Sequence, residues 1–209
     1  MTATQLLASL RTLLDEDTEQ YWLDPECYTA LTNGQKEYAS IVLAQYKAKA
    51  GVNPFEPLPE VLRPLLNPVT QSLVNATYLP LPPNYLYDLS VYVYGTYNRP
   101  FFKRKQSRSL LFEQVNSLLG AQGYYYSIDN VNLNFEIPAP SVAINIDFKY
   151  LMLTPPIDGS LSPASDPVLP DFTHDAIVQY AYSELLKKPK RTQESLAEYQ
   201  KFLQTIKYI

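Results

Sequence analysis

The chain has one cysteine, one histidine, one tryptophan and six glycines among 209 residues, and each scarcity removes a class of chemistry. A single thiol, Cys27, cannot close an internal disulfide and fits a reducing compartment. A single imidazole, His174, excludes histidine-based metal sites, and no Cys-x-x-Cys spacing exists, although sites made of carboxylates alone stay open. The glycines are isolated, so no glycine-rich loop is present to cradle a phosphate. No run approaches the ~20 apolar residues of a membrane span, and the first residues lack the basic-then-apolar order of a signal peptide. A soluble protein made in a cytoplasm is expected, with no membrane partner. The formal charge of -4 lacks the basic excess of a dedicated nucleic-acid binder. It leaves open a channel through which DNA slides, where tight phosphate contacts would hinder movement.

Tyrosine and proline are abundant instead, 18 of each. Tyrosine offers a large contact area with a polar tip, so an excess signals either a tyrosine-rich core or more contact surface than a monomer needs. Proline at this level implies stiffened loops that lose little entropy when a partner orders them. Hydrophobic residues at 46% and charged residues at 18% mark a globular chain. At this length it can bury roughly 70% of its unfolded surface, as one domain or one domain with an embedded smaller module.

The most informative stretch is 142–188. Val142, Ile144, Ile146, Phe148, Tyr150 and Met152 alternate with Asn145, Asp147 and Lys149, the period of a half-buried strand. Pro155-Pro156 stops that strand, and residues 157–169 read as a surface loop. A helix then begins at Leu169-Pro170-Asp171-Phe172, with Asp171 as cap and Ile177, Tyr180, Ala181 and Leu185 as its apolar stripe. Lys187 and Lys188 suit the negative end of its dipole, and Pro189 ends it.

Elsewhere, Leu6, Leu7, Leu10, Leu13 and Leu14 share one face of a first helix. A second helix opens at Asp24-Pro25 and buries Cys27, Leu31, Tyr38, Ile41 and Val42, with Asn33-Gly34 a weak point and Gly51 a stop. Five prolines in 52–68 allow only a helical turn near 61–66. Residues 72–78 read as a strand, Asn84 as the cap of a short turn carrying Tyr85, Leu86 and Leu89, and 91–97 as a strand. Residues 110–119 have helical spacing, and 124–129 with 131–137 form a hairpin around Asp129-Asn130. The last helix covers 192–207, with Leu196, Tyr199, Leu203 and Ile206 inward. The fold class is α+β: a small bundle of terminal helices, about 4–51 and 171–207, with an inserted antiparallel β region, about 72–153.

Three runs in this grammar carry a resemblance. Tyr150-Leu-Met-Leu-Thr-Pro-Pro156, Leu169-Pro-Asp-Phe-Thr-His-Asp-Ala-Ile-Val-Gln-Tyr-Ala181 and Leu81-Pro-Pro-Asn-Tyr-Leu86 resemble the adaptor, or head-tail connector, ring proteins of short-tailed bacteriophages, the crAss-like group among them. Leu10-Arg-Thr-Leu-Leu-Asp-Glu-Asp17, Trp22-Leu-Asp24 and Asn33-Gly-Gln-Lys36 look like the helical start of such adaptors. The matches are short runs of structural residues, and their order along nearly the whole chain carries the resemblance.

It implies a single adaptor domain over 1–209 and a structural virion protein at the head-tail junction. It further implies identical subunits, commonly twelve, in a ring beneath the portal protein that meets tail or second-ring proteins below. Double-stranded DNA would pass through the channel without sequence-specific contact, and no cofactor or catalysis is implied. In such adaptors the C-terminal segment commonly docks onto the portal. Here Lys207, Tyr208 and Ile209 follow the last helix directly, so the loops 52–68 and 155–170 become alternative contacts.

The residues themselves offer two surface candidates. Tyr92, Tyr94, Tyr97, Tyr124 and Tyr126 are spaced to form an adhesive stripe for a neighbouring protein, or else to cover the core of their own domain. Lys103, Arg104, Lys105 and Arg108 could touch DNA phosphates or an acidic neighbour, or could be a solvated turn. His174 beside Asp175 suits packing or capping better than general-base catalysis, and Cys27 suits a buried, inert thiol. A carbohydrate- or small-ligand-binding module whose tyrosines stack on sugars is the competing class, and an enzyme is a distant third.

Overall fold

The computed structural model describes residues 1–16, 21–53, 56–95, 98–103, 124–159 and 165–206. The class is α+β, and the chain divides into two compact units, one of residues 1–65 with 153–209 and one of residues 66–152.

The first unit is helical. Helix α1 (Ala3–Leu14) starts at Thr2, whose hydroxyl accepts from the Gln5 N–H while the Gln5 side chain accepts from the Thr2 N–H, a reciprocal cap. Leu6, Leu7 and Leu10 are buried as the spacing predicts, but Leu13 is exposed and Arg11 takes a buried place. Its guanidinium donates to the Trp22 carbonyl at 3.1 Å and pairs with Asp24 and, at 3.5 Å, Glu16. Helix α2 (Asp24–Val52) therefore does not use Asp24 as its cap; the Glu26 carboxylate accepts from the Leu23 N–H instead.

Gly34 does not split α2. A Cβ there would stand 2.8 Å from the Ile177 carbonyl oxygen, so glycine permits α2 to cross closely over helix α3 (His174–Leu185). Helix α4 (Thr192–Ile206) buries Ser195, Phe202 and Ile206, whereas Leu196, expected inward, is 58% exposed. The inward line runs one position off because Phe202 centres an aromatic group with Tyr38, Tyr180 and Tyr199. Within the proline-rich connector, a short 3-10 helix (Glu60–Leu65) buries Val61, Leu62 and Leu65.

The loop after Pro155-Pro156 is less free than its composition suggests. Thr32 and Gln35 of α2 stitch it down. The Thr32 hydroxyl exchanges bonds with Ile157, and the fully buried Gln35 side chain donates to the Pro155 carbonyl and accepts from the Val168 N–H at 2.8 Å. Ile157, Ser165 and Leu169 are consequently buried.

The second unit is a curled sheet. Among the described residues, seven strands pair in the order β1 (Leu66–Leu73), β7 (Ile144–Met152), β3 (Tyr85–Val93), β4 (Arg99–Lys103), β5 (Tyr125–Ile128), β6 (Asn132–Phe135) and β2 (Tyr78–Pro80). All these neighbours are antiparallel except β4 and β5, which are parallel. Leu73 near one edge and Leu79 at the other share one apolar core with Val91, Phe101, Ile146 and Phe148.

Strand β7 alternates as predicted, although Val142 lies before it and is 73% exposed. The hairpin around Asp129 also forms, its carboxylate accepting from the N–H groups of Val131 and Asn132. Three expectations fail, the first being a strand over 91–97, since β3 ends at Val93. The stretch 72–78 is not one strand, because Asn75 takes a left-handed turn (φ 51°) between β1 and β2. Strand β1 also begins earlier than predicted, tolerating Pro68 at the sheet edge. Asn84 caps no helical turn; its side-chain oxygen accepts from the Tyr150 hydroxyl at 3.0 Å, and Tyr85 opens β3. The expected helix at 110–119 lies outside the described residues.

Candidate docking surface

Strands β1, β7 and β3 place a polar row on the outer face of the sheet by simple alternation. Thr70, Asp147 and Tyr92 stand opposite one another in register, flanked on one side by Pro68, Lys149 and Ser90. On the other flank are Ser72, opposite Asn145, and Tyr94, whose N–H donates to the Asn145 carbonyl. The inward neighbours Val91 and Val93 fill the core, which forces Tyr92 and Tyr94 outward. Their rings meet at 4.6 Å between centroids and 50° between planes, with Tyr94 43% exposed. Asp147 organises the row. It accepts from the Thr70 hydroxyl at 2.6 Å, and a second hydrogen bond, from the Tyr94 hydroxyl, raises the pKa of that phenol. Side chains tied together in this way present a pre-ordered face, which reduces the entropy lost when a partner covers it.

The other tyrosines of the predicted stripe behave differently. Tyr124 is half-buried, stacks on Phe101 and carries the Arg99 guanidinium 4.6 Å above its ring. Tyr126 is 3% exposed and belongs to the core, not to a surface. Its hydroxyl donates at 2.7 Å to the buried Asp88 carboxylate, which also accepts from Tyr85 at 3.0 Å. Burial, followed by the Asp88 charge, pushes both phenols well above their ordinary pKa. Position decides this: Tyr126 pairs opposite Phe135 on the inner side of β5 and β6. Lys103 ends β4. Tyr97, Arg104, Lys105, Arg108, Lys207, Tyr208 and Ile209 lie outside the described residues.

The remaining candidates carry little chemistry. Cys27 is fully buried, and burial pushes its thiol up to about 11. His174 is buried, and its backbone N–H caps the short 3-10 turn Asp171–Thr173 by donating to the Asp171 carbonyl. Its Nε2 must donate to the Leu169 carbonyl at 3.0 Å, so Nδ1 is left to accept from the Met1 amino group at 2.9 Å. Burial lowers its pKa. Asp171, the expected cap, instead pairs with that amino group at 2.7 Å, which lowers the carboxyl pKa. A cavity of about 410 Å³ beside α2 includes Tyr28, Asn33, Lys36 and Asp158 in its lining. Among the described residues, no three His, Cys, Asp or Glu side chains converge on a common point, and no helix is long and apolar enough to cross a membrane.

Asp147 and Asp88 escaped the sequence reading. The alternation around residue 147 shows a polar face but not which partners gather there, and an isolated Asp88 gives no sign of burial. No protein-family model matches the chain, and no curated protein matches it in sequence.

Proposed function

We propose that the chain is a structural subunit of the adaptor ring between the portal and the tail of a short-tailed bacteriophage, continuing the DNA channel. One observation supports this most directly: the outward row of Tyr92, Tyr94, Asp147 and Thr70, a tied and half-exposed face suited to covering by another protein. Aromatic groups with a polar tip are the side chains that interfaces favour. In this reading the row meets an identical subunit or the portal, and no covalent chemistry is assigned to the chain.

The competing reading, a glycan-binding module, would use an exposed ring such as Tyr94 to stack on a sugar face. Binding of the isolated protein to a sugar array, lost with Tyr94→Ala, would favour that reading instead. The test mixes the purified protein with its cognate portal and images the product by electron microscopy. Decorated portal rings are expected for the wild type and a loss of decoration for Tyr92→Ala with Tyr94→Ala, a retained cooperative urea transition verifying that the double variant is folded. Bare portals under assembly conditions would refute the proposal.

A further inference from the structure

The curled sheet has two edges, and they are guarded differently. Strand β2 is three residues long and ends on Pro80, which leaves little ladder for another chain to pair with. Strand β1 runs eight residues, pairs with β7 without a register shift and carries no charged side chain, so Pro68 is its one safeguard.

The direction of the β1 backbone groups follows from β3. The Tyr94 N–H donates to the Asn145 carbonyl at 2.8 Å, so alternation along β7 turns the backbone groups of Asn145, Asp147 and Lys149 toward β3 and those of Ile144, Ile146 and Phe148 toward β1. Their register partners Leu73, Gln71 and Val69 therefore bond to β7, while Pro68, Thr70 and Ser72 direct their backbone groups away from the sheet. Proline falls on the side where no donor is required. Among the described residues, no backbone hydrogen bond closes on the carbonyls of these three residues or on the N–H groups of Thr70 and Ser72, and all three are exposed.

Charge beside this edge is ordered as well. Asp147 and Lys149 lie on the outer face of β7, opposite Thr70 and Pro68 respectively. Asp147 accepts from the hydroxyls of Thr70 and Tyr94, but among the described residues neither it nor Lys149 has an opposite charge within ion-pair range.

We propose that β1 accepts an extended segment of a partner protein as an additional antiparallel strand, with a basic side chain opposite Thr70 and an acidic one opposite Pro68. In that alignment the basic residue precedes the acidic one with a single residue between them, and both side chains stand on the outer face. Asp147 Oδ1 lies 2.6 Å from the Thr70 hydroxyl, so the basic group has only one strand spacing, about 5 Å, to cross. Charge complementarity selects this occupant over a second copy of the chain: β1 is uncharged, so two β1 strands paired edge to edge would leave Asp147 and Lys149 uncompensated. The inference stands on the edge and does not depend on the ring reading.

The experiment pans a displayed library of random twelve-residue peptides against the full chain and measures the enriched clones by fluorescence anisotropy. Expected winners carry the basic-x-acidic order within a run of β-forming residues and weaken as salt rises. They lose at least about tenfold in affinity against Ser72→Pro, which deletes one outward N–H and leaves the bonds to β7 in place. Ser72→Ala keeps that N–H and should bind as the wild type does. Panning against Asp147→Lys with Lys149→Asp should enrich the reversed order, acidic before basic. An unchanged urea midpoint for the Ser72 variants and a cooperative urea transition for the charge swap verify that each is folded. Clones indifferent to Ser72→Pro, clones without the charge order, or no enrichment would each overturn the proposal. So would a concentration-dependent dimer of the wild type in sedimentation velocity that Ser72→Pro abolishes, an outcome that assigns the edge to a second copy.

Discussion

Gly34→Ala and Gly51→Ala make the same chemical change in the same helix and should move stability in opposite directions. Both glycines lie in α2, and replacing glycine by alanine inside a helix gains up to about 1 kcal/mol from propensity. At Gly51 a new Cβ meets nothing within 4 Å, so that gain stands, reduced to a few tenths near the helix end. At Gly34 the new Cβ would lie 2.8 Å from the Ile177 carbonyl oxygen and 3.3 Å from both Ile177 Cγ2 and Tyr180 Cδ1. The nearest atom is backbone and cannot rotate aside, so α2 and α3 must part. Overpacking of this kind costs about 1–3 kcal/mol. Set against that propensity gain, the cost leaves a net loss of up to about 2 kcal/mol. Urea unfolding followed by circular dichroism at 222 nm reads the difference. With a slope of about 2 kcal/mol per molar urea, the Gly34→Ala midpoint should fall by up to roughly 1 M. A Gly34→Ala midpoint equal to or above that of Gly51→Ala would refute the claim that this glycine exists for close helix crossing.

Three further outcomes are expected. Tyr38→Phe should be neutral or stabilising by about 1 kcal/mol, because the Tyr38 hydroxyl is buried with no hydrogen-bond partner among the described residues; a loss of about 1 kcal/mol or more in urea unfolding would show a partner exists. His174 stays neutral in the fold with its pKa below 6.5, so the unfolded chain binds the extra proton first. Stability from this group is full above pH 6.5 and declines as pH falls from there towards the folded pKa. Urea midpoints across pH 5–7 should therefore slope less in His174→Gln than in the wild type. Cys27, raised to about 11, should react slowly with iodoacetamide at pH 8 in the folded protein and promptly in urea. Equal rates in the two states would contradict its burial.

The sequence was most readable where one pattern was repeated along an element. Strand β7 alternates over nine residues and α1 follows helical spacing through Leu6, Leu7 and Leu10, so most of each buried side could be read without tertiary information, Arg11 and Leu13 excepted. The hairpin around Asp129 was equally plain, since turn chemistry is local. The misreadings arose where a distant contact outweighed local preference. Asn84 resembles a cap but is held across the sheet by Tyr150, and Asp171 resembles one but is held by an amino group far away in sequence. Leu196 fits a helical stripe, yet the bulk of Phe202 and its tyrosine neighbours sets which side of α4 turns inward. The sheet face was half legible: alternation separates Tyr92 and Tyr94 from the core, while the sequence alone gave Tyr126 no such direction. That needed the pairing with Phe135 and the buried Asp88.

Strands β1 and β7 pair with Leu66 opposite Leu151, so the polypeptide comes into the sheet and departs from it at adjacent points. For the residues on either side, the whole intervening stretch then behaves as a loop whose mouth is already held shut. Lengthening or exchanging what lies inside such a mouth adds little closure entropy. The sheet can thus diverge as a cassette, changing its outer surface for new contacts while the helices keep their own packing.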